Sequence, residues 1–196
     1  MFENISINWL YNPTLGVIMS ILKEYKEPKD LLEKLLREGE RTWTSENIQE
    51  KIDHFFNFCV TSLSLRDWCL AYLNLNRAEE SDFYYIHSKS EWLSYCGSIA
   101  NLSKHFKLLE GRKSSVSSVD SKTSEHVLLA IGTDGKMTEV AQAMRVSFDI
   151  QNSDGKVKGL MEILIGCVSE WEQVFTNYNI PAPNSDLKYR MFIEYL

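Results

Sequence analysis

Patterned cysteine is missing from this chain. Its four cysteines, Cys59, Cys69, Cys96 and Cys167, form no Cys-x-x-Cys pair and stand among apolar residues. Such spacing fits neither a zinc site nor a disulfide framework, and it reads as buried free thiols in a reducing cytoplasm. No uninterrupted apolar run approaches membrane-spanning length, and residues 1–10 carry Glu3 but no basic cluster ahead of an apolar core. A cytoplasmic protein without secretory signal or membrane contact is therefore expected. Glycines 132, 135 and 155 fall in turn sequences, and none builds a phosphate-cradling loop. Nucleophile-elbow and kinase signatures are absent, as are internal repeats, and no cofactor is expected. Positive charge is also short: 21 Lys and Arg against 27 Asp and Glu, a net charge of -6. That balance argues against a broad nucleic-acid-binding face. It leaves room for a small basic site, and Lys104, Lys107, Arg112 and Lys113 do cluster. The same four residues also read as a solvated helix end, where cations are favourable.

Core-forming material is plentiful. Hydrophobic residues make up 44% of the 196, with five Trp, nine Tyr and nine Phe, enough for one domain over residues 1–196. The periodicity predicts a mainly α fold: an antiparallel helical bundle with a small inserted antiparallel β-hairpin or three-stranded β unit before the C-terminal long helix. A first helix is expected from residue 14 to about 26, with Pro13 in its first turn and Pro28 ending it, and a second over 29–38 with Gly39 as its stop. Thr44 or Ser45 is positioned to cap a long helix reaching about residue 75, whose stripe is Ile48, Ile52, Phe55, Phe56, Cys59, Val60 and Leu63. Residues 74–87 read as a connection. A helix from Ser88 or Ser90 to about residue 109 follows, burying Trp92, Tyr95, Cys96, Ile99, Leu102, Ser103 and Phe106. The Ser-rich stretch 111–124 reads as a mobile loop. Strands are expected at 126–131 and 145–150, joined through the turn signal Gly132-Thr133-Asp134-Gly135, with 137–144 open between strand and short helix, and the whole insertion spanning about 125–152. Residues 156–178 form the last long helix, Pro181 and Pro183 break it, and the apolar tail 187–196 is expected to dock on the body or on a partner.

One stretch suits proton transfer. On a helix, Ser94, Ser98, Asn101 and His105 fall on one narrow polar stripe, nearly opposite the Trp92/Cys96/Ile99/Phe106 face. The stripe carries small or uncharged groups where a plain solvent face would carry Lys and Glu. His105 titrates near neutrality and fits general acid–base work; Asn101, one turn earlier, fits an orienting or phosphate-binding role. Packing of the same stripe at a helix interface is the competing reading.

Asn101-Leu102-Ser103-Lys104-His105, with Asp67-Trp68 on the preceding long helix, resembles the HEPN superfamily, over residues 44–110. In that family a helix bears an Arg, a polar residue that is often Asn, and then a His. The resemblance implies a helical protein that tolerates inserted strands, and metal-independent RNA cleavage at a dimer interface in defence or toxin–antitoxin settings. His105 would be acid or base and Asn101 its orienting partner. The family's Arg is missing: Ala100 stands directly before Asn101 and Ile99 before that. Losing the group that steadies the scissile phosphate costs a large factor in rate. Arg66 on the long helix is the candidate substitute, its alternative being a surface ion pair with neighbouring carboxylates. Lys104, Lys107 and Ser98 are candidate substrate-binding residues.

Two functions stay open. One is an interaction subunit with a degenerate or weak ribonuclease site, its polar seam filled by a sister chain or another protein, with RNA as a further candidate partner. The other is an active endoribonuclease using His105 at a dimer interface. Elsewhere, Asp67 would either orient His105 or pair locally, and His54 reads as a satisfied histidine beside the core. His87 and His126 stand alone, without carboxylate or Cys partners at ligand spacing, so no metal is expected.

Overall fold

The computed structural model describes residues 22–104, 114–183 and 187–192. Within them, helices α1 (Pro28–Thr44), α2 (Ile48–Leu73), α3 (Arg77–Lys89) and α4 (Glu91–Lys104) precede strands β1 (Val116–Ile131), β2 (Met137–Asn152) and β3 (Val157–Gly159), and helices α5 (Leu160–Asn177) and α6 (Leu187–Arg190) follow. The mainly α architecture with an inserted antiparallel sheet ahead of the last long helix is the one the periodicity predicts. Helix α2 is the spine, packing on α1 and α4, while α4 also meets α3 and α5. No described helix is long and apolar enough to cross a membrane.

Local chemistry sets the helix ends. Pro28 opens α1, where its missing N–H costs nothing, and the Asp30 carboxylate accepts the Glu27 N–H at 3.1 Å. Asn47, not Thr44 or Ser45, caps α2, accepting from the Gln49 and Glu50 N–H groups at 2.8 and 3.2 Å. Asn74 ends α2 in the left-handed conformation (φ 48°). The core is built from Phe55, Phe58, Cys59 and Leu65 of α2, Cys96 and Ala100 of α4, Cys167, Trp171 and Phe175 of α5, and Phe148 and Ile150 of β2, all buried. All four cysteines are buried free thiols. Burial pushes the Cys69 thiol up to about 12 and raises Cys167 as well, whereas Cys96, pulled down by its contact with Cys167, is raised on balance by its contact with Cys59 and by burial.

Several expectations need correcting. Helix α1 runs through Gly39, because a residue without a side chain lets Met191 and the Phe58 ring lie against the helix there. Residues 22–26 are turn, not the end of a helix; the rest of the expected first helix lies outside the described residues. On α2 the buried face is set by Phe58, Ser62 and Leu65 as well as Phe55, and Ile52 is exposed, since α1 and α4 cover two sides of the spine. The expected connection 74–87 is mostly α3, started by an Asn76/Glu79 capping box and burying only Phe83 and His87. Ser103 of α4 is exposed. Val116 to Ser124, read as loop, is strand, and 157–159 is strand β3 before α5 starts at Leu160. The tail expectation holds for its described part: Met191 is buried and Phe192 meets Trp43 edge-on at 5.0 Å.

The sheet has the order β1-β2-β3. Its base is anchored: Phe148 and Ile150 pack inward, Phe148 meeting Phe55 at 4.7 Å, and Asn152 donates to the Tyr95 hydroxyl at 3.1 Å. Beyond the base, β1 and β2 continue as a two-stranded arm to the turn at Gly132–Gly135, with a bulge beside Leu128. The register places Val127, Leu129, Ile131, Met137 and Met144 on the same face as Phe148 and Ile150, yet these five are exposed.

Two glycines make opposite predictions. A Cβ at Gly166 of α5 would collide with the indole of Trp92, whereas one at Gly97 of α4 meets only Leu63, at 3.9 Å. Gly166→Ala should destabilise the fold by about 1–3 kcal/mol, and Gly97→Ala should gain up to ~1 kcal/mol of helix propensity. Urea denaturation of both variants checks the contrast.

Candidate functional site

The described part of the polar stripe of α4 borders a groove. Ser94, Ser98 and Asn101 line a groove of about 480 Å3 whose other walls are Leu63 and Arg66 of α2, His87 of α3, and Ser114 at the entrance to β1. Helix spacing puts these groups there. Ser62 and Arg66 are one turn apart on α2, and the first is buried while the second reaches the rim. Phe83 and His87 are one turn apart on α3 and are that helix's two buried residues.

Arg66 is held on two sides. Its Nε donates to Asp67 Oδ1 at 3.0 Å, its Nη2 lies 2.9 Å from the same oxygen, and its Cζ sits 5.4 Å from the centre of the Tyr84 ring. The rest of the guanidinium fork has no partner among the described residues, and the side chain is 27% exposed. Asp67 thus pairs locally. Ser98 is committed differently from its expected substrate-binding role. Its Oγ accepts the Ser115 N–H at 3.1 Å, and the two hydroxyls lie 2.8 Å apart. Since the Ser115 hydroxyl donates to the Ser94 carbonyl at 3.0 Å, Ser98 donates to Ser115. This chain of hydroxyls ties the start of β1 to α4. Asn101 is exposed at the groove edge.

His87, set aside on sequence grounds, is the titratable group the structure adds. It is 9% exposed and its ring lies 5.5 Å from that of Trp171. Burial, and secondarily the Arg66 charge, lowers its pKa to about 4, against a smaller opposing pull from Asp67. The imidazole is therefore neutral at physiological pH. The sequence carries a signal for the start of this helix, the Asn76/Glu79 capping box, but none for the histidine, whose setting comes from residues distant in the chain.

Of the six residues singled out in the sequence, Arg66, Ser98 and Asn101 come together in this groove. His105 and Lys107 lie outside the described residues, and Lys104 is the last residue of α4. His54 is satisfied by Glu38, Nδ1 to Oε2 at 3.2 Å. Among the described residues no group of three His, Cys, Asp or Glu could hold a metal ion. No family model matches the chain, and no curated protein or solved structure matches it significantly.

The neutral His87 predicts a pH dependence. Unfolded histidine titrates near 6.5 and this one near 4, so between those values the unfolded state binds more protons and stability drops as the pH is lowered. Between pH 7 and pH 4.5 the wild type should lose about 2–3 kcal/mol more stability than His87→Phe. Urea titrations of the pair at the two pH values measure that difference; equal losses would show that His87 titrates normally.

Proposed function

We propose that this chain is a HEPN-like helical protein of a bacterial defence or toxin–antitoxin type system. It works in the cytoplasm as an interaction subunit whose groove engages RNA through the phosphate backbone, with a degenerate or weak cleavage site. One observation carries the reading: the guanidinium of Arg66, from α2, shares a groove with Asn101 of α4. On this reading Arg66 of the neighbouring helix stands in for the arginine missing before Asn101. An arginine fork suits a phosphodiester, and the Tyr84 ring keeps it oriented. Asp67 takes part of that charge, which leaves less for a developing oxyanion and favours binding over efficient catalysis. The exposed apolar face of the arm supports assembly with a second copy or another protein, and the four buried thiols suit a reducing compartment.

The second reading is an active metal-independent endoribonuclease with His105 at a dimer interface. The exposure of Asn101 at the groove edge, four residues before His105, favours it.

Fluorescence anisotropy with a labelled single-stranded RNA separates the outcomes. Arg66→Ala should weaken binding about tenfold or more at low salt and reduce the salt slope by ~0.7, the share of one phosphate contact. No binding by the wild type, or identical binding by Arg66→Ala, contradicts the proposal. Incubating the RNA with wild type and His105→Ala decides between the two readings: equally intact RNA supports the binding subunit, and cleavage lost with His105 supports the nuclease.

A further inference from the structure

Resting on the phosphate-binding reading of the groove, we propose that His87 is its sugar-reading residue: the imidazole hydrogen-bonds the 2′-hydroxyl of a nucleotide whose phosphate is held by Arg66, so that the groove selects RNA over DNA.

Three observations lead there. His87 is more than nine-tenths buried, yet neither ring nitrogen has a hydrogen-bond partner among the described residues, and the ring contributes to the groove wall. The unpaired nitrogens are not sealed in the core, since no His87 atom is among the fully buried polar atoms left without a partner; a largely buried ring with open nitrogens presents them to whatever enters the groove. The contrast lies within the same chain, where His54 finds Glu38 at 3.2 Å. Second, the ring is held in position, backed by Trp171 at 5.5 Å with the planes inclined by 53°. A recognition group fixed in this way loses little freedom when a ligand arrives. Third, the neighbouring guanidinium decides the chemistry. Beside Arg66 a second cation is unfavourable, so His87 does not serve as another phosphate anchor. A neutral imidazole offers one donor and one acceptor. A hydroxyl offers the same pair in return. In a ribonucleotide the 2′-hydroxyl lies next to the 3′-phosphate, and it is the group that distinguishes RNA from DNA. The volume of about 480 Å3 lies within the range of small-ligand sites and suits one nucleotide.

The test uses oligouridine and oligodeoxyuridine of equal length, which differ only in the 2′-hydroxyl, with affinities measured by anisotropy. The wild type should prefer the ribo-oligomer about tenfold, the worth of one well-made hydrogen bond. His87→Phe, which keeps a ring against Trp171 but removes both polar atoms, should bring that ratio to about one. His87→Gln, which restores a donor and an acceptor, should keep a ratio between the two. Arg66→Ala should weaken both oligomers and leave the preference in place. A wild type that binds both oligomers equally, or a folded His87→Phe with the wild-type ratio, overturns the role of His87 and leaves the phosphate site standing. A wild type that binds neither oligomer overturns both. Circular dichroism confirms that each variant is folded; should His87→Phe not fold, a His87→Gln ratio equal to that of the wild type overturns the assignment.

Discussion

The indole of Trp171 is the contact on which the rest of the site depends. Its Nε1–H donates to the Ser62 hydroxyl at 2.9 Å, and that hydroxyl lies 3.2 Å from the Cys167 sulfur. The same ring backs His87. One fully buried side chain on α5 thus fixes α2 through a hydrogen bond and α3 through a ring face. Truncating an aromatic of this size in a core costs about 3–5 kcal/mol, and here it would also leave the Ser62 hydroxyl without its donor. Small residues make the arrangement possible: Cys59 and Ser62 on α2, Cys96 and Ala100 on α4, and Cys167 on α5 are all buried, so the helices meet without large side chains between them. Arg66 emerges one turn beyond Ser62, and its position at the rim follows from how Ser62 is held.

The electrostatics of the groove follow from that packing. Arg66 is kept near the surface, partly neutralised by Asp67 and steadied by Tyr84. His87 is kept neutral by burial and by Arg66. A site with one attenuated cation and one neutral imidazole is suited to recognising a polar, singly anionic group rather than to strong general acid–base chemistry near pH 7. A chain with a net charge of -6 lacks long-range attraction to nucleic acid, so RNA recognition as proposed would come from a few well-placed groups.

Much of the fold was legible in the sequence, where burial imposes periodicity. The α2 spine, the α5 stripe through Leu164, Val168, Trp171 and Phe175, and the Gly132–Gly135 turn follow from apolar spacing and turn chemistry. The failures share one physical cause. Helix α3 buries only Phe83 and His87, and the missed part of β1 from Val116 onward is rich in Ser and charged residues with Val116 its one buried residue among those described, so neither shows the apolar pattern by which elements are recognised. Gly39 reads as a stop, but here it makes room for the returning tail, a long-range contact that local sequence does not encode. In the site, the α4 stripe and Arg66 were visible because they sit on strongly periodic helices. His87 was not, because its significance comes from Trp171 and Arg66, both distant in sequence.

The central claim is that the Arg66 groove, set in place by Trp171, is where this protein meets an RNA phosphate. Side-chain nuclear magnetic resonance of the 15N-labelled protein, titrated with a short single-stranded RNA, tests it most directly. The account predicts that the Arg66 Nε–H, the Asn101 carboxamide and the Trp171 indole N–H shift together and saturate at one common concentration. Shifts confined to the β1–β2 arm or to the surface of α1, with those three signals unmoved, would contradict it.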